Sequence, residues 1–213
     1  MHTDDLLKEW LAMKWGIGCI GILVILALFI GIFGVGSYNS LVTLDQGVQA
    51  QWGQVQNAYQ RRLDLIPNLV ETVKGAAAFE KDTFTAVAEA RSKAGQVSGD
   101  ALKNAANDPQ AFEKFQQAQA GLSSALSRLM VVVEKYPELK ANQNFRDLQS
   151  QLEGTENRIS VERMRFNEAA QAFNTKRMSF PTVLIAGFFG SRFAEKQYFK
   201  AQEGAEAAPK VQF

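Results

Sequence analysis

One cysteine and one histidine are the whole supply of those residues in this 213-residue chain. Cys19 alone excludes an internal disulfide. It also lies inside an apolar run, where thiol chemistry in water is closed to it. His2 alone provides no ligand set for zinc, and no cysteine–histidine nucleophile pair can be assembled. Prolines number only five, which suits long helices better than a turn-rich sandwich. Net charge is short too: 23 basic against 22 acidic residues leaves +1, so charge gives no reason to expect nucleic acid as a partner. No GxxxxGK motif cradles a phosphate. Composition does not exclude a serine–lysine pair, but no spacing points to one. The expectation is a protein without a cofactor or metal, and not an enzyme.

A long uncharged run is present. Residues 16–36 read GIGCIGILVILALFIGIFGVG, without one charge. At about 1.5 Å per residue they span roughly 30 Å, the thickness of a bilayer's hydrocarbon core. Trp10 and Trp15 precede the run and Tyr38 follows it, as interfacial rings do. A transmembrane helix is therefore expected at 16–36, after a short leader at 1–15. A cleavable signal peptide would have a shorter core and a basic leader, whereas this leader mixes Asp4, Asp5 and Glu9 with Lys8 and Lys14. A lipid anchor at Cys19 fits poorly, because the apolar run follows the cysteine. Lys8 and Lys14 before the run, against no Lys or Arg from 37 to 60, put the large domain outside the cytoplasm.

From there the pattern is helical. Leu41, Leu44, Val48, Trp52, Val55 and Tyr59 recur in steps of three and four, one stripe of a helix continuous with the apolar run. Pro67, in DLIPNL, is expected to end that helix or kink it, and either way to bring the chain round for a second one. The second stripe fades at SGDALKNAANDP, 98–109, a loop with a short helical turn at 101–106. A third helix follows Pro109 and breaks at Tyr136, which precedes a proline. The fourth carries Phe145, Leu148, Leu152, Thr155, Ile159, Phe166, Ala170 and Phe173, interrupted at Glu162. A helix of about 45 Å must lie along others of similar length. The fold class is all-α: an N-terminal transmembrane helix, then a long antiparallel bundle of about four helices over 37–200, then a loose tail at 201–213. No internal repeat or perfect heptad pattern is evident.

Two groups of residues stand out as candidate sites. The first is polar: Arg61, Arg62 and Asp64 before Pro67 and Asn68 just past it, where it can serve a helix end, with Glu156, Asn157, Arg163 and Asn167 on the fourth helix. The bland reading is solvated faces and register-setting residues. The sharper one is a shared network across the bundle, which would fix alignment more than add stability. The second is apolar: Phe180, Val183, Leu184, Ile185, Phe188 and Phe189, in FPTVLIAGFFGSRF. These are too few to span a bilayer and too many to leave in water. They either cap the open end of the bundle or meet the membrane or a partner, and the contact reading is preferred. Arg192, Lys196 and Lys200 follow, suited to lipid headgroups.

Several blocks carry a resemblance: YNSLV at 38–42, RRLDLIPNLVETVKG at 61–75, EARSKA at 89–94, YPELKANQNF at 136–145, LQSQLEGTENRIS at 148–160, RMRFNEAAQAFN at 163–174 and FPTVLIAGFFG at 180–190. Together they resemble the LemA family of bacterial membrane proteins, which includes a magnetosome-associated branch. The resemblance implies an N-terminal anchor and an antiparallel helical bundle, and it transfers no catalytic residues. Family members are often encoded near a membrane zinc protease, which implies a protease or another envelope protein as partner by association. The expected function is a scaffold or adaptor in the bacterial inner membrane, single-pass, with its bulk on the periplasmic or extracellular side. Its expected partners are the lipid bilayer, further copies of itself and a membrane protein. The alternatives are a regulator of a membrane protease, or an envelope enzyme or chaperone using the Arg/Glu/Asn cluster.

Overall fold

The computed structural model describes residues 3–76, 80–97 and 105–200, with side chains in the first helix described at Gly21 and Leu28 and from Gly31 onward. Among the described residues six α-helices follow one another: α1 (Thr3–Ala76), α2 (Lys81–Val97), α3 (Pro109–Glu134), α4 (Pro137–Ala141), α5 (Gln143–Met178) and α6 (Thr182–Phe189). Short 3-10 turns occupy Ala105–Asn107 and Gly190–Phe193. The bundle's four long helices agree with the sequence reading. Among the described residues no helix is long and apolar enough to cross a membrane. Most side chains of the run at 16–36 lie outside the described set, as do the leader's side chains and the tail at 201–213, so those expectations lie outside it too.

The first helix corrects the reading of Pro67. The chain does not turn there: α1 runs on for 74 residues with Pro67 inside it. A proline in a helix interior removes a donor and costs roughly 3 kcal/mol. The carbonyl left without its donor is that of Leu63, four residues earlier. Arg91 of α2 supplies the missing bond, Nε donating to the Leu63 oxygen at 3.0 Å. Burial holds both flanks, because Leu63, Leu65, Ile66, Leu69 and Val73 are all in the core. Asn68 is therefore an exposed mid-helix residue. The reversal comes after Ala76 instead.

Local chemistry sets the other boundaries. Asp108 caps α3, its carboxylate accepting from the amides of Gln110 and Ala111, while Pro109 fills the first turn. Tyr136, before Pro137, leaves the helical region as expected. Asn142 ends α4 and caps α5, accepting from the amide of Phe145.

Cross-helix pairs fix the directions. Trp52 meets Phe112 and Phe115, and further along Arg62 meets Ser123, so α1 and α3 run parallel. Trp52 also meets Phe166, while Arg62 meets Glu156 and Arg61 meets Gln151, so α5 runs antiparallel to α1. The core has two halves. One is aromatic, built round Trp52, Phe112, Phe115, Phe166, Phe173, Phe193 and Phe199. The other is mainly aliphatic, with Leu63, Ile66, Leu69, Val73, Leu122, Leu126, Leu129 and Leu152. The stripe read on α5 is buried as expected except for half-buried Leu148, and Glu162 is buried with it. After α6 the chain returns along α5 as an extended strap, residues 194–200.

Candidate functional site

An open groove of about 990 Å³ lies between α3 and α5, with Tyr59 and Arg62 of α1 as its floor. Arg62 is the centre of the polar seam. Its side chain is 4% exposed, with Nε 2.7 Å from Glu156 Oε1, and Nη2 donates to Ser123 Oγ at 2.7 Å. The Nε–H is not aimed at the carboxylate oxygen, so that contact is an ion pair and not a directed hydrogen bond. Burial lowers the Arg62 pKa, and Glu156 opposes the shift. Burial likewise raises the Tyr59 phenol above its ordinary 10.0, with Arg163 and Arg62 pulling the other way. The seam therefore joins α1, α3 and α5 at one level and fixes their register.

The eight residues of the polar cluster do not form one network. Arg62 and Glu156 meet as expected. Arg61 reaches only Gln151, at 3.4 Å on the surface. Asp64 accepts from Gln60 on its own helix and meets neither Glu156 nor Arg163. Asn68 is exposed, and only its backbone carbonyl is used, by Thr72. Asn157 is exposed on the groove wall.

Arg163 and Asn167 belong to a second device, which holds the strap. The Asn167 amide donates to the Phe199 carbonyl at 2.9 Å and accepts from the Phe199 amide at 2.8 Å. Asn174, one heptad on, does the same for Lys196, donating to its carbonyl and accepting from its amide, both at 2.9 Å. Seven helical residues rise about 10.5 Å, and three extended residues cover about 10 Å. The two spacings match, so each asparagine side chain stands in for a neighbouring strand. Arg163 donates to the Lys200 carbonyl at 2.8 Å and lies over the Phe199 ring. Arg177 donates to the Phe193 carbonyl at 2.7 Å.

The strap carries a residue that sequence reasoning misplaced. Lys196 was expected at lipid headgroups, yet it is 1% exposed. Its ammonium lies 2.5 Å from Asp45 Oδ1, bonds Asn107, and sits over the Phe173 ring. Asp45 is almost as deeply buried, and also accepts from Gln49. Every third side chain of the strap turns inward, Phe193, Lys196 and Phe199, so Lys196 enters the bundle while Lys200 stays outside. Asn107 also falls in the loop at 98–109, to which the sequence reading gave no role. Asp45 and Lys196 are 151 positions apart, and no local pattern links them.

The apolar group lies at the other end of the site. Phe180, Val183, Leu184, Phe188 and Phe189 are exposed, Phe180 by 81% and Phe188 by 85%. Ile185 instead packs partly against the core and faces Gly34 of α1. Thr182 and Ala186 seat α6, and Phe189 leans on Tyr38 at 4.9 Å. Leu28, Ile32, Phe33 and Val35 of α1 are exposed as well. Gly190, at φ +51°, is the turn that returns the chain to the bundle, a conformation that favours glycine. Among the described residues no group of histidine, cysteine and carboxylate side chains is arranged to hold a metal ion.

An all-helical bundle stapled by its own extended C-terminal strap is the class these features define. A family model described as the LemA family matches residues 51–213, and the chain belongs to that family. It is similar to magnetosome protein MamQ 2 of Paramagnetospirillum magneticum, 28% identical over 183 residues, covering 79% of this chain and 66% of the relative. It is similar to magnetosome protein MamQ of Magnetospirillum gryphiswaldense, 28% identical over 176 residues, covering 76% and 64%. Protein LemA of Metamycoplasma hominis is 24% identical over 188 residues, covering 87% and 80%. The chain thus spans just under two thirds of the length of the magnetosome relatives.

Proposed function

We propose that the chain is a single-pass scaffold or adaptor of the bacterial inner membrane and not an enzyme. In this reading residues 16–36 form the anchor and the bundle stands on the periplasmic or extracellular side. The bundle assembles with further copies or docks a membrane partner. One observation carries the reading: the exposed face of α6 lies beside the point where α1 leaves its apolar run, with Ile185 against Gly34. An exposed apolar surface of that kind is a contact surface, and next to a membrane helix its first contact is lipid. In this reading the polar seam is architecture, because Arg62, Glu156 and Ser123 are spent on one another.

The test uses a spin label at Phe188→Cys in a Cys19→Ser background, in proteoliposomes. A label relaxed more by oxygen than by a water-soluble nickel chelate supports the lipid contact. The reverse ratio removes it. Alongside, Phe180→Ser with Phe188→Ser should leave the melting curve in detergent unchanged, since both rings are exposed, and should reduce particle mass by light scattering. A large loss of melting temperature would show that α6 caps the bundle instead.

A further inference from the structure

Charge is unevenly spread at the α6 end of the bundle. That end is built from residues 31–44 of α1 and from 169–194, which hold the last turns of α5, all of α6 and the turn after it. Neither stretch contains an Asp or Glu, and together they carry three cations, Lys176, Arg177 and Arg192. Acids bound the two stretches at Asp45 and Glu195. Asp45 is buried against the Lys196 ammonium at 2.5 Å, so its charge is already met. Arg192 stands 3.9 Å from its other oxygen, with the Arg192 side chain 48% exposed. Asp108, next to the Asn107 that bonds Lys196, is spent on capping α3. Among these groups three cations face one exposed carboxylate, that of Glu195.

The cations also share one level. α5 runs antiparallel to α1, with Phe166 against Trp52. Further along α5 the same register sets Lys176 beside Val42 and Arg177 beside Leu41. The contacts of Arg177 agree: it donates to the Phe193 carbonyl, and the Phe193 ring lies 5.5 Å from Tyr38. Arg192 leans over that same ring. Leu41 and Val42 lie about 7.5–9 Å past Gly36, where the uncharged run ends. A headgroup layer is roughly 5–8 Å deep on each side of the hydrocarbon. Long basic side chains that start at its outer edge reach back into it. The apolar face of α6 lies on the other side of that level, because Ile185 meets Gly34 inside the uncharged run.

We propose that the α6 end selects anionic lipids at the bilayer surface, with Lys176, Arg177 and Arg192 meeting headgroup phosphates while Phe180 and Phe188 enter the acyl layer. The inference rests on the lipid contact proposed above and adds to it a choice among lipids. Two observations favour this occupant over an acidic protein surface. The apolar face and the cations follow one another along α1 in the order of a leaflet's own layers, acyl chains and then phosphate. The imbalance of three cations to one carboxylate also sets the sign. A zwitterionic lipid brings an ammonium group with its phosphate, whereas an anionic lipid brings the phosphate charge alone, and each basic residue near the surface favours the second.

The test uses the full chain with Phe188→Cys and Cys19→Ser, carrying a bimane dye at position 188, in vesicles of phosphatidylcholine with about 20 mol% phosphatidylglycerol. Bromine on the acyl chains of one lipid or the other quenches the dye on contact, and the two quenching levels give the relative binding of the lipids. Phosphatidylglycerol should be preferred about threefold or more. The preference should disappear in Lys176→Gln with Arg192→Gln. It should also disappear for the unsubstituted cations in about 1 M salt, where charges are screened beyond about 3 Å. Lys135→Gln with Lys140→Gln removes the same charge from exposed positions around α4 and should leave the preference in place. Equal quenching by the two lipids would overturn the selection and leave the lipid contact standing. No quenching by either would remove the contact and the selection together. A preference that survives both the Lys176/Arg192 substitutions and the salt would overturn the assignment to these cations.

Discussion

Arg91 donates to the carbonyl of Leu63 at 3.0 Å, and that carbonyl is the one Pro67 leaves without its helical donor. A side chain on α2 thus completes the hydrogen-bond ladder of α1. Arg91→Leu should lower stability by about 1–3 kcal/mol, the usual loss when a charged hydrogen bond is removed. In a Pro67→Ala background the helix has its own amide for Leu63, and the same substitution should cost about 0.5 kcal/mol or less. Denaturant titrations of the four proteins give the coupling directly, and additive losses would show that the two residues are independent.

Asp45 and Lys196 form a buried ion pair between α1 and the strap. Lys196→Met alone should destabilise by about 3–5 kcal/mol, because it leaves a buried carboxylate that only Gln49 and the more distant Arg192 attend. Replacing both, as Asp45→Leu with Lys196→Met, should restore most of the loss. A double variant no more stable than the single one would mean that the pair's geometry, and not its charge balance, carries the contact.

Tyr59 is expected to titrate above the ordinary phenol value. Burial raises its folded pKa above 10.0. The unfolded chain therefore releases this proton near pH 10 while the folded chain keeps it. Its contribution to stability is whole below that pH and falls as the pH rises through the folded value. Absorbance at the phenolate band should contain a late component that is absent in Tyr59→Phe. That variant should also lose stability less steeply above pH 10.

Topology is open to direct measurement. A cysteine at exposed Ser127, with Cys19→Ser, should react with a membrane-impermeant maleimide in intact spheroplasts. Labelling that appears only after lysis would place the bundle in the cytoplasm.

The α5 stripe and the starts of α3 and α5 were legible because periodicity and capping are local. The path of α1 was not, since the residue that rescues Pro67 is on another helix, 28 positions from the carbonyl it serves. Of the polar cluster, Arg62 and Glu156 were found because the sharper reading joined the charged residues of the first and fourth helices across the bundle. Asp64 and Asn68 were drawn in by proximity in sequence, and α1's rotation turns both outward. The strap was invisible for a different reason. Its bonds run to main-chain atoms of Phe193, Lys196, Phe199 and Lys200, which no side-chain pattern encodes. The heptad between Asn167 and Asn174 was its one signal in the sequence.

The unbroken course of α1 has a mechanical consequence. From Val35 to Ala76 it extends about 60 Å without a joint. Whatever tilts its N-terminal half swings the far tip of the bundle in proportion, so a 10° change moves that tip by roughly 10 Å, more than one residue's reach along a strand. A signal set by inclination is thereby carried from one end of the molecule to the other as rigid-body displacement. It needs no rearrangement of the core.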